Sequence, residues 1–186
     1  FSLKHVLLED TPAITVLRQV ENQDTVLKRV GDMLYYIDVL NDRNTLVRFN
    51  TANSKLDGIC PAQGFDISPD GRFAAVVSYG EDSEFATFLS VVDLVPGGAM
   101  TEVSSNTLSD FFFGSNSLLY YLAPSDNEKY PVAVYSFNKD TGQSSLVENI
   151  VSAQIRPGPD ANSLMAFVTE YKNDTLYAAT FIVTHG

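Results

Sequence analysis

Two histidines, one cysteine and 23 carboxylates are the side chains of this 186-residue sequence from which reactive chemistry could be built. A nucleophile working near neutral pH needs a base beside it, usually an imidazole. His5 and His185 lie at opposite ends of the chain, and the G-x-S-x-G turn that exposes a hydrolase serine does not occur. The stretch Gly114-Ser115-Asn116-Ser117-Leu118 reads as a turn between strands. The two imidazoles could share a metal or a substrate only in a fold whose ends meet. Cys60 stands alone, so it forms no internal disulfide and builds no cysteine-rich metal site. Gly97-Gly98 is followed by no Lys-Ser or Lys-Thr and opens no helical pattern, so it makes no phosphate cradle. The expectation is a chain without catalytic residues, cofactor or metal centre.

The carboxylates outnumber 12 Lys and Arg, and the net charge is −11. Duplex binding draws its affinity from cations that neutralise phosphates, and the few cations here form no cluster, which excludes nucleic acid as a partner. No apolar run approaches the roughly 18 residues a membrane-crossing helix needs, so no membrane insertion by this chain is expected. With 45% apolar and 19% charged residues the composition is that of a globular domain. The sequence opens on Phe1, with neither a start methionine nor a signal peptide, which suggests a piece of something longer or a processed product.

Positioning such side chains falls to strands. Runs such as Met33-Leu34-Tyr35-Tyr36-Ile37 and Phe73-Ala74-Ala75-Val76-Val77 are strand-length and rich in β-formers, and Gly, Asn, Asp, Ser or Pro bound them. Leu118-Leu119-Tyr120-Tyr121-Leu122 and Leu164-Met165-Ala166-Phe167-Val168 have the same character. Their first residues, Met33, Phe73, Leu118 and Leu164, are spaced by 40, 45 and 46 residues. A second series, Phe49, Val92, Phe137 and Phe181, keeps spacings of 43, 45 and 44. Two anchors moving together at this period describe repeated units of about four strands, which is how a β-propeller blade appears in sequence. The spacing predicts that Phe73, Leu118 and Leu164 are equivalent and buried. About half of the aromatic residues in Tyr35-Tyr36, Phe111-Phe112-Phe113 and Tyr120-Tyr121 should pack between sheets, because side chains alternate across a strand.

Residues 65–77, FDISPDGRFAAVV, then read as the corner between the first and second strands of one unit. Pro69 sets the first turn position, Asp70 can bond the backbone ahead of it, and Gly71 tolerates a positive φ. ISPDGRFAAVVS followed by FLSVVDLVPGG resembles the repeats of TolB-like and WD-like propellers, a repeat type also found in the propellers of prolyl-oligopeptidase-like enzymes. GDMLYYIDVLNDRNTLVRFN looks like a degenerate copy. The good match covers roughly 63–103, and the periodicity extends it from about 25 to 183. The resemblance implies an extracytoplasmic, TolB-like module. It implies no activity, since the hydrolase families keep their triad in a separate domain.

The expected fold is all-β and propeller-type, one domain over 1–186 with repeats at about 25–60, 61–105, 106–149 and 150–186 and extra strands in 1–24. Either those N-terminal strands complete the last blade and close a small ring, or the chain is an arc of a larger propeller, to which the cut look of both ends points. In every repeat the hairpin between the second and third strands is acidic: Asp42, then Glu81, Asp82 and Glu84, then Asp126 and Glu128, then Glu170 and Asp174. Tyr79, Tyr130 and Tyr171 lie in the same hairpins. Blade geometry puts equivalent loops on one face, where like charge attracts a basic protein partner or a cation. Calcium is the weaker client, because no D-x-D-x-D-G pattern is present. Tyr beside acid also suits a peptide or carbohydrate platform. Asn173-Asp174-Thr175 is a lone N-x-T sequon. The resulting expectation is a non-catalytic recognition or scaffolding module. The alternatives are a propeller lobe of a larger hydrolase and a saccharide-sensing ectodomain.

Overall fold

A computed structural model describes residues 2–7, 13–19, 26–80, 83–115, 117–150, 153–160, 163–172 and 175–184. These residues hold strands and turns and no helix. The chain divides into two compact units, Phe1–Gly64 and Phe65–Gly186.

The first unit contains an antiparallel pair, β1 (Ser2–Leu7) and β2 (Ala13–Gln19), and a four-stranded meander. The meander runs β3 (Lys28–Val30), β4 (Met33–Leu40), β5 (Arg43–Asn50) and β6 (Lys55–Pro61) in chain order. Asn41 and Asp42 join β4 to β5 with φ of 53° and 61°. Two consecutive left-handed residues twist a two-residue hairpin the same way as its strands, and Asn and Asp tolerate that conformation better than other side chains. On one face of the meander Leu34, Tyr36, Val47 and Phe49 form a buried cluster.

The second unit stacks three sheets. The first is β7 (Gly64–Ile67), β8 (Phe73–Gly80), β9 (Ser83–Asp93) and β10 (Met100–Ser104), and the next is β11 (Phe111–Phe113), β12 (Leu118–Asn127), β13 (Tyr130–Asn138) and β14 (Gln143–Ile150). The last has three strands, β15 (Ala153–Pro157), β16 (Ser163–Lys172) and β17 (Thr175–Thr184). Two clusters bind the stack together. Phe73, Ala75 and Val77 of β8 meet Leu119, Tyr121 and Ala123 of β12. Tyr120 and Leu122, on the opposite face of β12, meet Ile155, Leu164 and Ala166 of the last sheet. Both faces of β12 are therefore core, and Tyr120 and Tyr121 are equally buried. The expected half-burial of aromatics fell short for that reason: alternation decides which side a ring takes, and here both sides are covered.

The same packing corrects the anchor series. Phe73 and Leu118 each begin a second strand and face the following sheet, but Leu164 is the second residue of β16 and faces the preceding one. Its equivalents are Ala74 and Leu119, whose Cα partners are Val92 and Phe137, as Leu164 pairs with Val183. Phe181 pairs instead with Ala166. A slip of one residue moves a side chain to the other face, so the fully buried anchor is Leu119, while Leu118 is half-buried. β16 opens on the polar Ser163, which stands where Phe73 and Leu118 do, so its apolar run begins one residue late.

Corner chemistry explains how the sheets turn. In Ser68-Pro69-Asp70-Gly71 the Gly71 N–H donates to the Ser68 carbonyl (2.8 Å), and Gly71 has φ 70°. The Ser68 hydroxyl donates to Asp70 Oδ1 (2.8 Å) and accepts the buried Phe73 N–H (3.0 Å). Asp70 Oδ1 also accepts the Arg72 N–H (3.1 Å). At the corresponding corner of the last sheet the Asp160 N–H donates to Ser163 Oγ (3.2 Å) and the Gly158 N–H to the Ser163 carbonyl (3.0 Å).

Candidate functional site

The acidic hairpins are positioned by the register of the strands that carry them. Tyr79 sits near the end of β8 and is 54% exposed. Glu81 and Asp82 lie outside the described residues, and Glu84 is the second residue of β9. In the next sheet Asp126 and Glu128 are exposed at the β12–β13 turn, and Tyr130 opens β13 half-buried. This turn is fixed by its own polar residues. Asn127 Oδ1 accepts the Lys129 and Tyr130 N–H groups (3.0 and 3.3 Å), and Ser125 Oγ accepts the Asn127 N–H (3.2 Å) while donating to Asn149 Oδ1 (3.0 Å). The Lys129 ammonium stands 4.9 Å from the Tyr130 ring centroid, a cation over an aromatic face. In the last sheet Glu170 and Tyr171 occupy β16, opposite Tyr177 and Leu176, and Asp174 lies outside the described residues. Asp42 holds the matching turn of the meander in the first unit and is exposed. His5 is a β1 residue paired with Thr15, whereas His185 and Asn173 are outside the described residues.

Among the described residues no three His, Cys, Asp or Glu side chains stand together as a metal site. Nor is any helix there long and apolar enough to cross a membrane.

Two features escaped the sequence. In the first unit an open groove of about 570 Å³ lies beside the outer strand, walled by Leu40, Arg43, Thr45, Ile59, Cys60 and Pro61. A register shift between Leu46 and Val47 creates room there, and Gly58 suits it, since a Cβ at that position would come within 3.1 Å of the Leu40 side chain. Burial pushes the Cys60 thiol up to about 11, so it stays protonated and unreactive. Gly58 inside the strand Lys55–Pro61 was the available signal.

The second feature is a pair of inter-sheet latches. Asp66 Oδ2 accepts the buried Phe113 N–H (2.8 Å), and Asp110 Oδ2 accepts the Ile155 N–H (3.2 Å) and pairs with Arg156 Nη1 (3.1 Å). Each carboxylate satisfies a first-strand donor of the following sheet that the ladder leaves free. Lys139 adds a third link, its ammonium 3.2 Å from Asp93 Oδ1 and 5.6 Å from the Phe73 ring centroid.

No protein-family model matches the chain, and no curated protein matches it in sequence. Solved structures do. The β-propeller domain of the Trilobed protease from Pyrococcus furiosus is similar at 18% identity and a TM-score of 0.69, over 87% of this chain and 55% of that one. Pyrococcus horikoshii acylaminoacyl peptidase gives 14% and 0.64, over 87% of this chain and 31% of its own. TolB from Acinetobacter baumannii gives 10% and 0.60, over 93% and 49%. The chain thus spans about half or less of these chains. At such identities the likeness is one of architecture, and the fold it identifies, together with the repeated antiparallel sheets, is that of a β-propeller.

Proposed function

We propose that this chain is a non-catalytic recognition or scaffolding module that binds a basic protein partner through the hairpins between the second and third strands of its sheets. The observation that carries the reading is the β12–β13 turn: Asp126 and Glu128 are exposed on a loop whose backbone is already held by Asn127 and Ser125, with the Tyr130 ring beside them. A prefixed acidic loop loses little freedom on binding, and an aromatic ring adds contact area at low entropic cost. A propeller presents equivalent hairpins on one face, which would gather Glu84, Glu170, Tyr79 and Tyr171 toward the same partner. An extracytoplasmic setting rests on the TolB-like resemblance.

The test uses oligolysine as the cationic probe on the intact chain. Asp126→Lys with Glu128→Lys should slow association at low salt far more than Asp140→Lys with Glu148→Lys, which lie on other parts of the β11–β14 sheet. Equal effects of the two pairs would reduce the acidity to net charge and overturn the reading. Absence of catalysis is checked with esterase, peptidase and glycosidase substrates. Turnover that a single point substitution abolishes would refute it.

The fold likeness to an acylaminoacyl peptidase, of which the chain covers 31%, favours a second reading. In it the chain is the propeller lobe of a larger hydrolase and orients substrate for a catalytic domain elsewhere. A G-x-S-x-G segment in a longer parent sequence would select it.

A further inference from the structure

The segment that leaves β10 for the next sheet is tied to both sheets at one residue. Thr107 is 3% exposed. Its N–H donates to the Thr87 carbonyl (3.1 Å) and its own carbonyl accepts the Thr87 hydroxyl (2.5 Å), so β9 holds this residue by both of its backbone polar groups. The Thr107 hydroxyl has one proton to give. It lies 2.9 Å from the Leu122 carbonyl of β12 and 3.2 Å from that of its neighbour Leu108, and the shorter contact crosses to the next sheet. The Leu122 carbonyl also accepts the Leu108 N–H (2.9 Å). In the first unit Ala62 occupies the same place in the repeat. It follows β6, is 2% exposed and donates its N–H to the Asn44 carbonyl of β5 (3.1 Å). Ala62 thus repeats the docking on a third strand, but it has no hydroxyl with which to reach further. The side-chain bond to the second strand of the following sheet is what Thr107 adds.

Both ends of this tie sit at the root of a hairpin. Thr87 pairs with Tyr79 immediately before the register shift that opens the β8–β9 hairpin. Leu122 pairs with Val134, with two further pairs between it and the shift in the β12–β13 hairpin. Strands loosen first beyond their last regular pairs, whereas hydrogen bonds shielded from water hold their partners in place. We infer that Thr107 is a pin that sets the spacing between these two hairpins, so that Tyr79 on one and Asp126 and Glu128 on the other move as parts of one body. Buried itself, Thr107 acts through Thr87 and Leu122, which makes it a positioning residue. The use of that spacing in recognition rests on the basic-partner reading above: two hairpins held together lose less freedom on meeting one partner than two that swing separately.

Spin labels measure the spacing with no ligand present, so failure of the pin is distinguishable from failure of that reading. The intact chain carries Cys60→Ala, and labels are attached through Tyr79→Cys and Asp126→Cys, both at exposed positions. A control pair, Asp126→Cys with Asp140→Cys, lies within the β11–β14 region alone. Double electron–electron resonance should give a narrow distance distribution for the first pair. Thr107→Val should broaden it, and Thr107→Ser, which keeps the hydroxyl, should leave it narrow. Valine matches threonine in shape, and the Leu122 carbonyl retains the Leu108 N–H, so the substitution removes the tie and little else. Thr87→Val removes the bond on the other sheet and should broaden the same pair, which decides the matter if Thr107→Val does not fold. The control pair should stay narrow throughout. A first pair already broad in the parent chain overturns the inference. So does a folded Thr107→Val chain as narrow as its parent, or a broadening that the control pair shares equally.

Discussion

Counted from the β3–β6 meander, the third and fourth sheets (β11–β14 and β15–β17) are built on one hairpin plan, yet burial treats them differently. β12 is enclosed on both sides, by Phe73, Ala75 and Val77 on one and by Leu164 and Ala166 on the other, and Leu119, Tyr120 and Leu122 are almost wholly inaccessible. β16 encloses Leu164 and Ala166 but leaves Phe167 37% exposed. The strand sequences LLYYL and LMAFV do not announce that difference. What differs is whether a second sheet lies against the far face, and stability follows that coverage rather than strand propensity.

The largest expected contrast is therefore between core truncations in the two sheets. Leu119→Ala should lower unfolding free energy by about 2–5 kcal/mol, while Phe167→Ala, already partly in water, should cost under about 1 kcal/mol. Urea denaturation of both variants measures the gap, and comparable losses would mean that the fourth sheet is covered in solution. Latch substitutions probe the same contrast at smaller scale. Asp66→Ala leaves the buried Phe113 N–H without its acceptor and should cost about 1–3 kcal/mol, and Asp110→Ala, at a more exposed site, about 1 kcal/mol or less. If Asp110→Ala proves the more costly, the latch between the third and fourth sheets is the stronger one.

Smaller again is the corner. Ser68→Ala removes the acceptor of the buried Phe73 N–H and should cost about 1 kcal/mol, with Thr at this position restoring most of it. The finest effect concerns Cys60, whose thiol burial pushes up to about 11. The unfolded chain loses this proton near the ordinary cysteine value of about 8.5, so the folded form binds it more tightly between the two pH values. This contribution is fully present below the unfolded value and fades as pH rises toward the folded one. Ultraviolet thiolate absorbance should show a midpoint about 11 in the native protein that falls in urea, and an ordinary native midpoint would remove Cys60 from its half-buried setting.

The sequence by itself determined that the chain is made of β-strands repeating at 40 to 46 residues, because alternation and turn residues act locally and each repeat carries its own. Ser68-Pro69-Asp70-Gly71 was legible as a corner for the same reason, as were the hairpins that hold Asp42, Tyr79, Asp126, Glu128 and Tyr130. The side of each strand that becomes core was not legible in the last repeat, where β16 opens on the polar Ser163 and its apolar run therefore starts at Leu164, in register with Leu119 instead of Leu118. Nor were the carboxylates that bridge sheets. Asp66 and Asp110 resemble any other acid in the sequence, and their acceptance of Phe113 and Ile155 N–H groups depends on strands 47 and 45 residues away. Such long-range pairings, like the coverage of one sheet face by the next, are decided only when the sheets stack, since burial is a property of the neighbour as much as of the residue.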